Sequence, residues 1–183
     1  MEEEPVGRLV KVFQQRRVLD LRTMQGEVEG RSRRSLFRDL AQIDYLSSFT
    51  HAGRYYTLVE LVSFDEHGLW FHTSIGFSRA GTLKETVVKE VEESAAGRTH
   101  LELARLLRVR VHNTLLDLVA HHRIARHAWQ RCQLYVSHDS ARAAQQVSRR
   151  AEQTATALSP ASTMAVLAEA ASVVAGTSDS LGG

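Results

Sequence analysis

Four arginines fall within eight residues, at Arg31, Arg33, Arg34 and Arg38, with Ser32 and Ser35 among them. The guanidinium is a planar fork of donors that meets a phosphate, or the edge of guanine, through two parallel hydrogen bonds. Leu36, Phe37, Leu40 and Ile43 follow at helical spacing, so the arginines stand at the start of a helix. The helix dipole disfavours cations there. A phosphate beside them would remove that penalty; a solvated basic face is the plain alternative. A second set, Arg108, Arg110, His112 and Asn113, opens another helical stripe. Asn pairs bidentately with adenine, but near a helix start it equally bonds its own backbone. His51 and Arg54 occupy one polar turn, Gln130 and Arg131 another. Such groups suit contacts to phosphate, although any exposed turn carries them.

Catalytic and metal chemistry find less support. His121, His122, His127 and Cys132 lie close together, but their spacing matches no zinc finger or ribbon and Cys132 is the lone thiol. Arg123, Arg126 and Arg131 are interleaved with them and disfavour a cation. His67 and His72 flank Trp70, with Asp65 and Glu66 nearby. Nothing accompanies them that resembles a nucleophile elbow or a phosphate loop. A polar turn between packed apolar residues is the preferred reading; an enzyme would bring His67 and His72 together in a deep pocket beside Trp70. No catalytic residue, metal or cofactor is expected. Tyr55, Tyr56, Trp129 and Tyr135 sit in strand-like runs, where aromatic residues serve packing more often than stacking on bases.

The elements that must position these residues occur twice. Ser32 to Thr57 and Arg110 to Tyr135 align so that Asp39-Leu40 falls on Asp117-Leu118 and Leu46 on Ile124. One extra residue in the second turn puts Tyr56 on Tyr135. Each copy is a helix, a tight connection and two short strands around a polar turn. Ahead of the first copy, Pro5 opens a helix carrying Leu9, Val12 and Phe13 to about Arg16. Asp20 is the N-cap of a second helix through Met24, and Ser32 that of the third. Tyr45 to Phe49 and Tyr55 to Leu58 are strand-like. Leu69-Trp70-Phe71 and Ile75-Gly76-Phe77 are too apolar for a free linker and are expected to pack the copies together. Leu83, Val87, Val88 and Val91 mark a long helix ending near Ala96-Gly97, with Gly97 at its C′ position. Thr99 and Glu102 form a capping box. Ile124 to Trp129 and Gln133 to Ser137 make the second hairpin, and Asp139 caps a helix from Ser140 to about Gln153.

The expected organisation is therefore a first unit over 1–58, a packed connector over 59–77, a second unit over 78–137, a trailing helix over 138–153 and a tail over 154–183. In that tail Met164, Val166, Leu167, Ala170 and Val174 have helical spacing, and the last residues have a disordered composition. The fold class is mainly α with short β-hairpins. The 183 residues are 43% hydrophobic and 24% charged, ordinary for a globular chain. Net charge is only +2, so the placement of charge matters more than its total. Of the basic residues only Lys11, Lys84 and Lys89 are lysine, an arginine bias that a GC-rich genome also produces. The N-terminus lacks the basic-then-apolar order of a signal peptide, and no apolar run approaches the ~20 residues of a membrane span. A cytoplasmic, nucleoid-associated location is expected.

The strings RSRRSLFRDLAQIDYLSSF and GRTHLELARLLRVRVHNTLLDLV resemble those of bacterial winged helix-turn-helix transcription regulators. The likeness covers residues 6–137, or to 153 with the trailing helix. It implies two winged helix-turn-helix units in tandem and double-stranded DNA as partner. Arg33, Arg34 and Arg38 would make contact in the first unit, and Arg110, His112 and Asn113 in the second. Arg31, Ser32, Ser35, Arg54, Arg108 and Arg131 complete the candidate interface. The chain is also similar to small accessory proteins encoded beside transposases. Transcriptional regulation or a DNA-binding role for a mobile element follows, with a homodimer through Ser140–Gln153 or the tail as a further association. The alternative is a protein-binding module, since tandem winged helices also occur in partners of bacterial chromosome-condensation complexes. The low net charge and the acidic residues Glu85, Glu90, Glu92 and Glu93 suit that alternative.

Overall fold

Pro5, with its fixed φ and missing N–H, starts the first helix of the computed structural model, which describes residues 4–28 and 30–157. Seven α-helices and three small antiparallel sheets make up these described residues, a mixed α+β fold. Helix α1 (Pro5–Arg16) buries Leu9, Val12 and Phe13. Strand β1 (Leu19–Asp20) leads into α2 (Leu21–Glu27), whose N-cap Asp20 accepts the Thr23 amide at 2.8 Å. Helix α3 (Arg33–Leu40) is capped by Ser32. Strands β2 (Tyr45–Ser47) and β3 (Tyr55–Leu58) follow, with β3 central between β1 and β2. Leu9, Phe13, Met24, Leu36 and Leu40 form the centre of this unit's core.

The connector begins with a 3-10 turn (Val59–Leu61). It continues as a hairpin of β4 (Leu69–His72) and β5 (Ile75–Ser78), a sheet of its own. Helix α4 (Leu83–Glu93), β6 (Arg98–Thr99), α5 (His100–Leu107), α6 (His112–Ala120), β7 (Ile124–Trp129) and β8 (Cys132–Ser137) then repeat the element order of the first unit. The strand order repeats as well, with β8 central between β6 and β7. The capping box at Thr99 and Glu102 is present, the Thr99 amide donating to Glu102 Oε2 at 2.7 Å.

Helix α4 stops at Glu93 instead of reaching Ala96-Gly97. Gly97 has φ +65, yet its role is close approach to a strand: a Cβ there would lie 2.8 Å from the Tyr135 carbonyl oxygen. The strands β1 and β6 escape a sequence reading because two residues carry no alternation. Helix α7 (Ser140–Ala157) runs past Gln153. Its Gln146 is buried and fully bonded: Oε1 accepts the Ser137 amide and Nε2 donates to the carbonyls of Val91 and Ser94, all within 2.8 Å. One face of α7 is thus committed to its own chain. The tail helix expected around Met164 to Val174 lies outside the described residues.

Phe49 crosses from the first unit into the core of the second, where it packs with Leu69, Val87 and Leu103. Its amide donates to the Gly76 carbonyl at 2.9 Å, and the Gly76 amide donates to Thr50 Oγ1 at 2.9 Å. The Phe49 ring stands edge-on to Phe71, centroids 5.9 Å apart. Only glycine fits at position 76, because a Cβ would lie 2.6 Å from Phe49 Cζ. The expectation that Leu69 to Phe77 packs the units together thus has a specific physical form, a hairpin clasped to the tip of the first unit's hairpin.

Candidate nucleic-acid interface

Ser32 accepts the Ser35 amide at 3.2 Å, and the two hydroxyls lie 3.0 Å apart. Both serines therefore serve the helix start. Leu36, Asp39 and Leu40 turn inward from α3, which leaves Arg33, Arg34 and Arg38 exposed. Arg34 and Arg38 are one turn apart on the same face. Neither side chain has an ion pair or hydrogen bond among the described residues. Arg33 lies 5.7 Å above the Phe37 ring, a cation–π contact. Arg31 departs from the expected set: its Nε is 3.4 Å from Asp39 Oδ2. Asp39 is buried and this oxygen accepts no hydrogen bond, so Arg31 supplies the charge that makes its burial tolerable.

Helix α6 differs from α3. It begins at His112, with buried Val111 rather than a hydroxyl in the capping position. The alignment that places Asp39 on Asp117 places Arg34 on His112, Arg38 on Leu116 and Gln42 on Ala120. The outward face of α6 is therefore an imidazole and two apolar side chains, with Leu116 48% exposed. The His112 ring lies 6.2 Å from that of His100. Asn113 is exposed and makes no hydrogen bond among the described residues, so its amide is not spent on the helix start. Arg110 is exposed just before α6. Arg108 has left-handed backbone (φ 55), and its guanidinium carbon sits 4.1 Å from the Phe71 centroid. This contact ties the α5–α6 turn to the connector, and Arg108 remains exposed.

The hairpin tips also diverge. At the first, Thr50 and Phe49 are bonded to β5, His51 Nδ1 pairs with Thr50 Oγ1 at 3.0 Å, and Arg54 lies 6.0 Å from the Tyr55 ring. Arg54 also faces Asp20; the Thr23 hydrogen bonds first, and the Arg54 charge in part, hold that carboxyl below its usual range. The second hairpin pairs six residues from Ile124 to Trp129 with Cys132 to Ser137 and turns tightly at Gln130-Arg131. Arg126, His127 and Arg131 are exposed along it and have no ion pair or hydrogen bond among the described residues. In the sequence His127 stands among the possible metal ligands and Arg126 among the arginines between them, and neither is among the expected DNA contacts. The detectable signal is that they lie beyond Ile124, the point where the β7 strand leaves the core.

The acidic side chains of α4 are matched internally. Glu85 pairs with Arg123 at 2.9 Å, Glu92 with Arg142 at 3.6 Å and Glu93 with Lys89 at 2.8 Å. Glu90 is buried and receives His67 Nδ1 at 3.0 Å and Arg98 at 3.4 Å. Lys84, in the first turn of α4, reaches Asp117 at 2.8 Å and holds its carboxyl below the usual range. His67 is thus drawn to Glu90, while His72 lies against Trp70 at 5.8 Å, so the two imidazoles do not converge. Around the other histidines, His121 turns to Asp117 and His122 to His138. Among the described residues no group of three or more His, Cys, Asp or Glu side chains is placed to hold a metal. Burial pushes the Glu102 carboxyl up, but two bonds from Arg150 at 2.8 Å and one from the Thr99 amide outweigh it and hold it at about 2. No described helix is long and apolar enough to cross a membrane.

In comparison with known proteins, the chain matches no family model, no curated protein and no solved structure.

Proposed function

We propose that the chain is a double-stranded DNA-binding protein built on two winged helix-turn-helix units, acting as a transcriptional regulator or as the DNA-binding accessory of a mobile element. The observation that carries this reading is the outward face of α3, where Arg34 and Arg38 stand one turn apart and exposed with no partner among the described residues. In a helix-turn-helix the last helix enters the major groove, with residues near its start reaching base edges. Arg33 and Arg34 are at that start, and Arg38 one turn on. The recurrence of the element order and of the central last strand supports the tandem reading. The second unit carries Arg110, His112 and Asn113 at the start of α6 and Arg131 at its hairpin tip. A location in the cytoplasm, on the nucleoid, accompanies this function.

Fluorescence anisotropy tests it, with one duplex from the protein's own upstream region and one scrambled, across a salt series. Tight binding that weakens with salt and prefers the upstream duplex is expected. Replacing both Arg34 and Arg38 by Ala should weaken binding and remove most of the preference for the upstream duplex, at about 1–3 kcal/mol for each base contact. Unchanged affinity and preference in a folded variant would overturn the reading. Equal binding to both duplexes would assign an architectural role instead of an operator-reading one.

A protein-binding module is the second reading. Leu101 and Leu116, large apolar side chains 54% and 48% exposed on α5 and α6, favour it. Its acidic argument is weaker than the sequence suggests, because the carboxylates of α4 are matched within the chain. A stoichiometric protein partner, together with no duplex binding at low salt, would select this reading.

A further inference from the structure

The two units have the same elements but expose opposite parts of them. In the first unit the outward face of α3 carries Arg34 and Arg38; at the aligned positions α6 carries His112 and Leu116. In the first unit the hairpin is short and its tip is occupied, with Phe49 bonded to Gly76 and buried in the second core. In the second unit the hairpin is long and its tip is bare. Strand β7 exposes its side chains from Arg126 on, while β8 stays buried up to Leu134, which pairs with His127; beyond that pair Ala128 and Trp129 extend about 7 Å further. Arg131 lies at the tip and Arg126 on the outward side of β7, both exposed, while nearby Arg98, Arg123, Arg142 and Arg150 are each matched by a carboxylate.

We propose that the duplex-binding surface is divided between the units: α3 of the first unit enters the groove, and the β7–β8 hairpin of the second grips the flanking phosphates through Arg126 and Arg131. The proposal rests on the duplex-binding reading above and assigns the second unit's contact to its hairpin in place of its third helix. The clasp between Phe49 and Gly76 gives the division its physical sense. It covers the first hairpin and joins it to the second unit, so the hairpin left open to a duplex is the second one. The hairpin contacts are to the backbone, so they set affinity and register more than sequence preference.

The test uses the full chain and four proteins: wild type, Arg34→Ala with Arg38→Ala, Arg126→Ala with Arg131→Ala, and Leu116→Ala. Anisotropy with the upstream duplex is followed over a salt series, with circular dichroism as the check on folding. Each arginine pair should weaken binding at least about tenfold at moderate salt; the hairpin pair should lower the salt slope by about 1.8, and the α3 pair should remove the preference for the upstream duplex. The Arg126/Arg131 variant should keep the wild-type preference for the upstream over the scrambled duplex, and the Leu116→Ala variant should match wild type throughout. If the α3 variant loses binding while the hairpin variant keeps the wild-type slope, the division is wrong although the duplex reading stands. A tenfold loss in Leu116→Ala would place α6 on the duplex and also overturn it. Failure of the wild type to bind any duplex would instead remove the functional reading itself, and the divided surface with it.

Discussion

Phe49 and Gly76 allow the clasp between the units to be tested with a double-mutant cycle. Phe49 is 6% exposed, and its ring belongs to the second core, edge-on to Phe71 and over Gly76. Truncation to Ala should cost about 3–5 kcal/mol, the transfer of the ring plus the cavity left behind. Against a total stability of about 5–15 kcal/mol for a domain, this is large enough to loosen the first unit from the second. Gly76→Ala probes the same contact from the other side. Its Cβ would lie 2.6 and 2.9 Å from two atoms of Phe49 and 2.8 Å from Phe71 Cε1. Both rings are packed, so the strand or the rings must shift, at about 1–3 kcal/mol. In the Phe49→Ala background two of the three clashes disappear. The double variant should therefore be more stable than the sum of the single losses by about 1–2 kcal/mol. Urea denaturation of the four proteins measures this, with tryptophan fluorescence following Trp70 and Trp129. Phe49→Ala should also separate the single transition into two. Additivity within about 0.5 kcal/mol, or a Phe49→Ala loss below about 1 kcal/mol, would refute the argument that this contact joins the units.

Two further outcomes follow from the second unit. Glu102 has a folded pKa of about 2 against an ordinary 4.5, so its contribution is fully present above about pH 4.5 and is lost as pH falls toward 2. Wild type minus Glu102→Gln stability, from denaturation at each pH, should be about 1–2 kcal/mol at neutral pH after discount for solvent screening, and should shrink toward pH 2; a difference independent of pH would refute the pairing with Arg150. Arg108→Ala should cost about 0.5–1 kcal/mol through loss of the Phe71 contact. Duplex affinity should stay within about twofold of wild type, and a larger fall at constant stability would return Arg108 to the interface.

What could be read along the chain was what forms within four residues. Asp20 on Thr23, Ser32 on Ser35 and Thr99 with Glu102 are caps whose partners are spelled out by local spacing. The apolar stripes of α1, α3, α4 and α6 and the two polar hairpin turns obey the same locality, and so the repeat and its element order were legible. The candidate arginines were legible as types but not as roles. Arg31 and Arg108 look like Arg34 and Arg38 in sequence. Packing alone gives the first a buried carboxylate and the second an aromatic ring. The acidic face of α4 disappears in the same way, because its partners Arg98, Arg123 and Arg142 arrive from β6, the start of the second hairpin and α7. Gly97 has the right spacing for a helix end, yet it is glycine because β8 passes beside it. Local sequence determined which elements form and where they start, since caps and periodicity are short-range. Tertiary structure decided which charges remain at the surface, because an ion pair depends on distance in space, and residues tens of positions apart become neighbours only when the cores form.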